Sequence, residues 1–292
     1  MLKAIALLFG FLILVSNVSF AAEKAPARVR LGFIPGEGPE ELRKRSNELG
    51  ALLSKKVGVP FQVVIPDTYS QLVEKMKKKE VDMAFLTAMT FVVAEKEAGA
   101  KVLLKKVWQE PYYHSVILTR SDLKSLEDLK GKSIGFVDEK STSGYLYPKV
   151  MLKKRGWEKD FFSKITMTGN HRESVLQLAA GKLDAVAVFS DDSKGEKSAW
   201  QKYAPLGASS PQVLWVSEPI PNDPFCVRND FYDKYPRLTH DVMFALIELR
   251  DEPGQSNLLK KLLGVTELML ATSRQYEPVR EMVKELNLGG HP

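Results

Sequence analysis

Apolar positions in this chain fall into two rhythms that take turns from one segment to the next. Short runs of strand type at Arg28 to Ile34, Phe61 to Ile65 and Met83 to Phe85 alternate with helical spacing at Glu40 to Val57, Tyr69 to Lys79 and Thr90 to Ala98. Gly58 directly follows the first helical stretch and supplies the left-handed residue that commonly ends a helix. Strand–helix alternation of this kind predicts an α/β fold with a mostly parallel sheet and helices on both faces. Ligands of such open sheets gather at the carboxyl ends of the strands.

The alternation then restarts. Strands are predicted at Ser115 to Thr119, Ser133 to Val137, Lys164 to Thr168 and Ala185 to Phe189. Helical segments are predicted at Ser125 to Leu129, after Ser141, and at Glu173 to Ala180. The second set is of the same type as the first, with no repeat visible residue by residue. Val213 to Ser217 is extended, and Pro219-Ile220-Pro221-Asn222-Asp223-Pro224 reads as a rigid crossover, because its prolines fix the backbone and discourage a helix. From Tyr232 onward the pattern is largely helical and is expected to pack back on the first unit. The prediction is two lobes, residues 28–114 with 219–292 and residues 115–218, joined by a two-strand hinge that crosses near Tyr113 and near Pro219.

Met1-Leu2-Lys3, an apolar run from Ala4 to Val18 and the small residues of Ser19-Phe20-Ala21-Ala22 read as a signal peptide over residues 1–22. That predicts export to the periplasm. A retained membrane anchor is the competing reading, although the apolar stretch is short for a span. Cys226 is the single cysteine, which excludes an intramolecular disulfide. The formal charge of +6 falls to +5 when Lys3 leaves with the leader. The surplus cations Lys75, Lys77, Lys78, Lys79, Lys153, Lys154 and Arg155 stand at helix ends, where they complement the helix dipole. No basic stripe is interleaved with aromatics, so nucleic acid is not an expected partner. Four histidines at 114, 171, 240 and 291 offer no metal-ligand spacing, and no cofactor motif is present.

Candidate chemistry concentrates after the strand Ser133 to Val137. Ser141-Thr142-Ser143-Gly144 places three hydroxyls and unpaired backbone N–H groups where a helix begins, an arrangement suited to holding an anion. A plain serine N-cap is the structural alternative, but three adjacent hydroxyls exceed what capping needs. Pro148 sits inside the expected helix, so its first turn is irregular or kinked. Leu86-Thr87-Ala88-Met89-Thr90 also follows a strand and opens a helix, placing Thr87 at the same strand ends, as a ligand donor or as a cap.

Taken in order, Asp67-Thr68-Tyr69, Val81-Asp82-Met83-Ala84, Tyr112-Tyr113-His114-Ser115-Val116, Asp128-Leu129-Lys130-Gly131-Lys132, Ser141-Thr142-Ser143-Gly144-Tyr145, His171, Gly181-Lys182-Leu183-Asp184-Ala185 and Pro221-Asn222-Asp223-Pro224 resemble the phosphate/phosphite/phosphonate-binding proteins of bacterial ABC importers. The resemblance covers nearly the whole mature chain and implies the two-lobed type II periplasmic binding protein fold. It also implies a protein without enzymatic activity that acts as a monomer. Such a protein captures a small phosphorus oxyanion between its lobes and delivers it to an ABC permease at the inner membrane.

By the same resemblance, Ser141, Thr142 and Ser143 surround the anion's oxygens, and His171 donates to it. Tyr69 and Tyr113 supply phenolic donors from the first lobe and the hinge, with Tyr112 as the rival if the register slips by one. Asp223 matches an aspartate that faces the anion; it would accept the O–H of a monoprotonated phosphonate or phosphate and find no such partner on sulfate. Alone, Tyr69 and Tyr113 read as core aromatics, His171 as a structural histidine and Asp223 as a turn residue. The chain departs from the pattern at Arg172, where an acidic residue is common. Arg172 reads first as part of a solvated helix face; as a ligand contact it would favour a more anionic ligand, whereas Asp191 is placed to meet an ammonium group, so the two point in opposite directions. Two other functions stay open: a sensor reporting to a separate membrane receptor, and a phosphoester hydrolase using Ser141, His171 and Asp223, which lacks a Gly-x-Ser-x-Gly elbow.

Overall fold

The computed structural model describes residues 24–288 apart from 37, 121, 158–159 and 252–257, so the leader read at 1–22 lies outside the described residues. In chain order the elements are β1 (Val29–Phe33), α1 (Pro39–Val57), β2 (Phe61–Val64), α2 (Tyr69–Lys77), β3 (Met83–Phe85), α3 (Ala88–Ala98), β4 (Ala100–Val107), β5 (Tyr112–Thr119), β6 (Ser133–Phe136), α4 (Tyr147–Lys154), β7 (Lys164–Met167), α5 (His171–Ala179), β8 (Ala185–Ser190), α6 (Ala199–Tyr203), β9 (Gln212–Val216), β10 (Ile220–Pro221), β11 (Pro224–Arg228), α7 (Asn229–Lys234), α8 (Pro236–Glu248), α9 (Leu258–Leu263), β12 (Glu267–Leu270) and α10 (Glu277–Glu285). Helix α1 shows why the pattern was readable: Pro39 fits the first turn, Glu40 and Glu41 follow it, Lys55 and Lys56 sit in the last turn, and Gly58 closes at φ 72°. Among the described residues no helix is long and apolar enough to cross a membrane.

The strands form two six-stranded mixed sheets. In the first, with order β12-β4-β11-β3-β1-β2, the alternating βα units give parallel β2, β1 and β3, while β11, β4 and β12 add antiparallel pairs. The second runs β10-β5-β8-β6-β7, with β9 also on β5; β8, β6 and β7 are parallel and the β5 pairings are antiparallel. Parallel pairing is therefore confined to the βα repeats, and the antiparallel strands flank the crossings. Four strands were hidden in the sequence, among them the two-residue β10 inside the stretch read as a crossover. The lysines of β4 mask its rhythm, Pro224 looks like a breaker although a first strand position tolerates it, and β12 is a four-residue strand inside a helical region.

The two sheets repeat one device that the sequence did not reveal as a repeat. Leu31-Gly32 of β1 pairs with Met83-Ala84 of β3, and Ile134-Gly135 of β6 pairs with Ala185-Val186 of β8. A Cβ on Gly32 would stand 2.6 Å from Leu72 Cδ1 and one on Gly135 2.7 Å from Leu183 Cδ1, so both glycines are set by close packing. The acid preceding each second strand ties down the first. Asp82 accepts the Arg30 backbone N–H at 2.9 Å, and Asp184 accepts the Ser133 backbone N–H at 2.9 Å. Asp82 also pairs with the guanidinium groups of Arg30 at 2.6 Å and Arg228 at 3.2 Å; Asp184 pairs with Arg120 at 3.1 Å.

Apolar side chains fill both faces of each sheet. Leu146, Tyr147 and Val150, at the start of α4, share a core with Phe91 of α3 and Tyr276 and Val279 beside α10. The helix that follows the hydroxyl loop is thus anchored against the first sheet's layer. The chain passes between sheets twice, between Val107 and Tyr112 and between Pro221 and Pro224. At these crossings Asn222 Nδ2 donates to the Glu110 carbonyl at 2.8 Å, and the Tyr276 hydroxyl donates to the Asn222 carbonyl at 2.8 Å.

Candidate functional site

All nine residues singled out above line one cavity of about 350 Å³ between the sheets: Tyr69, Thr87, Tyr113, Ser141, Thr142, Ser143, His171, Asp191 and Asp223. The cavity lies where the parallel strands end, as the sheet rule requires. Local backbone chemistry sets its hydroxyl wall. Residues Thr142–Leu146 form a π-type turn before α4, with the Leu146 N–H bonded to the Ser141 carbonyl at 3.0 Å. Pro148 has no N–H to offer the Gly144 carbonyl, which accepts instead from Val137 N–H at 3.0 Å, at the end of β6. The Ser143 carbonyl, likewise free of a helical partner, accepts from Ser115 Oγ at 2.6 Å. The first turn is the irregular one that Pro148 called for. Gly144 is required there because a Cβ would lie 2.4 Å from Val137 Cγ2.

The hydroxyls differ in what they have left to give. Ser141 Oγ accepts the Gly144 N–H at 3.1 Å as an N-cap, and Thr142 Oγ1 accepts the Met89 N–H at 2.9 Å across the cleft. A hydroxyl that accepts keeps its own proton for donation, so capping and anion binding are compatible at Ser141, while the Thr142 and Ser143 hydroxyls also bond the Tyr113 phenol. Thr87 is different. It caps α3, and its one proton faces Thr90 Oγ1 at 2.9 Å and the Lys140 carbonyl at 3.3 Å, so it lines the wall with its donor already engaged. Sequence gave no way to separate these cases.

Strand alternation settles the tyrosine register. Tyr113 is 8% exposed and reaches the cavity beside the Thr142 and Ser143 hydroxyls, whereas Tyr112 is 40% exposed and is not among the lining residues. Burial pushes the phenols of Tyr69 and Tyr113 well above their ordinary range, with the Asp223 charge adding to both, so each remains a neutral O–H donor. The Tyr69 backbone N–H, at the start of α2, donates to the Asp138 carboxylate of the opposite loop.

Asp223 is not a turn aspartate. Its carbonyl accepts from the Lys106 N–H at 2.9 Å beside the β4–β11 ladder, and its side chain lies in the cavity wall with Lys106 Nζ at 3.9 Å. Burial raises its carboxyl above the ordinary range, against the smaller pull of Lys106. His171 opens α5 behind the Asn170 N-cap, edge-on to Phe189 at 5.1 Å between ring centres. Its Nδ1 is buried with no hydrogen-bond partner among the described residues. Burial, and then the Lys202 charge, pull its pKa down to about 3, so the ring is neutral without an anion. Asp191 lies in the same wall with its carboxyl raised by burial and opposed by Lys202. Arg172 does not join them; it borders a separate shallow crevice at the mouth with Glu40, Glu41, Lys44 and Tyr203.

Arg45, Ser46, Lys106, Trp108, Phe189, Lys202 and Tyr203 also line the cavity, and sequence reasoning passed over them. The one available signal was on α1, where Leu42, Arg45, Ser46 and Leu49 share a helical stripe and a polar pair interrupts the apolar face. Among the described residues no group of three or more His, Cys, Asp or Glu side chains gathers as for a metal ion. The arrangement therefore consists of neutral hydroxyl donors, a neutral histidine able to gain a proton, and the carboxyls of Asp223 and Asp191 with Lys106 and Lys202 nearby, all facing a partly enclosed volume.

Comparison with known proteins agrees with this geometry. Residues 31–276 match the family model described as ABC transporter, phosphonate, periplasmic substrate-binding protein. The phosphate-import protein PhnD of Mycolicibacterium smegmatis is 31% identical over 226 residues, covering 72% of this chain and 69% of that protein. The phosphonates-binding periplasmic protein of Escherichia coli K12 is 24% identical over 272 residues, covering 89% of this chain and 77% of that protein. The structure of PhnD1 from Prochlorococcus marinus MIT 9301 in complex with methylphosphonate shares the fold, with a TM-score of 0.77 at 20% identity over 90% of this chain and 99% of that one. The match to the family model spans most of the chain, and the chain belongs to the periplasmic substrate-binding proteins of phosphonate ABC transporters.

Proposed function

We propose that the cavity captures a phosphorus oxyanion and that the loaded protein delivers it to an ABC permease, binding without turnover. The observation that carries this reading is that donor hydroxyls at Ser141 and Thr142 and the half-buried carboxyl of Asp223 line one cavity. Ionised oxygens take the hydroxyl and phenol protons, and a monoprotonated ligand offers its O–H to Asp223. His171 then gains a proton as the anion arrives, because a nearby negative charge stabilises the imidazolium. The family supports a periplasmic location, and we read residues 1–22 as the leader that directs export.

Closure is the mechanism: donors from the second lobe at Ser141, Thr142, Ser143 and His171 meet first-lobe and hinge groups at Tyr69, Tyr113 and Asp223 around one ligand. We place the moving units at residues 28–111 with 222–292 and at 112–221. Sheet membership of Tyr112–Thr119 and Ile220–Pro221 supports crossings a few residues from 114 and 218. The test is calorimetric titration of ligand-stripped protein with phosphate, phosphite, methylphosphonate and sulfate, repeated on Asp223→Asn. The native protein should prefer the protonatable anions over sulfate, and the variant should lose most of that preference. Sulfate binding best to the native protein, or sustained release of phosphate from an organophosphorus compound, would overturn the reading.

A further inference from the structure

The cavity is far larger than its anion-holding end requires. A five-atom oxyanion fills about three water volumes, roughly 90 Å³, against a cavity of about 350 Å³. The remaining wall mixes the polar side chains of Arg45, Ser46, Asp191 and Lys202 with an apolar set of ring faces and branched carbons. Trp108, Phe189, Tyr203 and Leu42 all line it and are only partly buried, so their uncovered apolar surface faces the cavity contents. Phe189 and Tyr203 stand nearly perpendicular, 6.5 Å between ring centres, forming a corner rather than a flat surface. Apolar surface of this kind gains on contact with an apolar ligand group and gains nothing from a small hydrated ion.

Charge excludes one sort of substituent. Asp191 is the other carboxylate lining the cavity, and it already lies in the fields of Lys202 and Lys197, with Asp192 beside it. Lys202 also stands 5.1 Å from the centre of the Tyr203 ring. An ammonium group entering here would join a cation already balanced against that acid, so it meets repulsion as well as attraction. The crevice outside adds Arg172 and Lys44 to the approach.

Resting on the reading above, we propose that the oxyanion this cavity selects carries a bulky, flat, apolar substituent without an ammonium group, held by Trp108, Phe189, Tyr203 and Leu42. Three probes with one head group test it by calorimetry: methylphosphonate, 2-aminoethylphosphonate and phenylphosphonate. Phenylphosphonate should bind at least tenfold more tightly than either of the others. Leu42→Ala and, separately, Trp108→Ala should reduce the phenyl-to-methyl affinity ratio by about tenfold, and far-ultraviolet circular dichroism on both variants checks that they fold. Equal affinities for methyl- and phenylphosphonate, or tightest binding of the aminoethyl compound, would overturn this inference and leave oxyanion capture standing. Binding of none of the three by a protein that still takes up phosphate or phosphite would likewise overturn this inference alone, whereas binding of none of the three and of neither phosphate nor phosphite would remove the proposed function itself.

Discussion

At the residue scale, the hydroxyl and imidazole groups make claims that single substitutions can check. Ser141 both caps a turn and holds a proton for the ligand, so Ser141→Ala removes two things that are measured separately. Losing a hydrogen bond to an anion should weaken binding of a phosphorus oxyanion by about 1 to 3 kcal/mol, and losing the cap should lower stability by about 1 kcal/mol. A lower unfolding midpoint with unchanged affinity would return Ser141 to capping alone. For His171 the sign follows from its depressed pKa of about 3 against the ordinary 6.5. Above pH 6.5 folded and unfolded chains are both neutral here. As pH falls toward 3 the unfolded chain gains a proton that the folded one refuses, so this ring subtracts stability across that window. Nuclear magnetic resonance of the imidazole should show no titration near pH 6.5 in the free protein and an upward shift once an anion is bound. An ordinary midpoint in the free protein would contradict the burial argument. The hydroxyl loop stood out because adjacent oxygen donors at a strand end have a limited range of uses, whereas His171 was singled out only through the family resemblance. Lys106 and Lys202 were not legible, since only the tertiary fold brings them beside Asp223 and Asp191.

At the element scale, the sequence spoke clearly wherever a periodic run was bounded by its own punctuation, as in α1 between Pro39 and Gly58. It was silent on β11, whose residues Pro224 to Arg228 are all buried and follow a proline-rich crossover, and on the twofold use of a glycine and an acid in the two sheets. That device separates two substitutions that look alike on paper. Asp82 is 2% exposed and holds Arg228, itself 5% exposed, so Asp82→Ala leaves the buried guanidinium with only the half-exposed Asp230 carboxylate at 3.3 Å. A cost of about 3 to 5 kcal/mol is expected. Asp184 is 23% exposed and faces an Arg120 that reaches solvent, so Asp184→Ala forfeits mainly its bonds to Ser133, about 1 to 3 kcal/mol. Urea unfolding should rank Asp82→Ala as the more damaging, and the reverse order would mean that the two acids are not equivalent parts of one design.

At the scale of the whole molecule, closure is constrained by what cannot move. The start of α4 shares a core with α3 and α10, and Asn222 ties the two crossings through the Glu110 carbonyl. Under the proposed closure, rotation of one lobe against the other would pivot near the hinge and the α4 packing, with displacement growing toward the mouth. There α1 brings Glu40 and Glu41 to one side of the crevice and α5 brings Arg172 to the other. The Thr142 to Met89 and Asp138 to Tyr69 contacts that cross the cleft lie nearer the pivot and change less. Cys226 is fully buried, so thiol-reactive dyes go to introduced cysteines. A chain carrying Glu40→Cys and Arg172→Cys, labelled with a donor and acceptor pair, should show energy transfer rising as methylphosphonate saturates the site. Transfer should rise at higher ligand concentration when Ser141→Ala is added, because the same motion is driven by weaker binding. Transfer that stays constant through a titration in which calorimetry records saturation would show that the ligand enters a cavity already formed, and the two lobes would then be a fixed frame rather than a clamp.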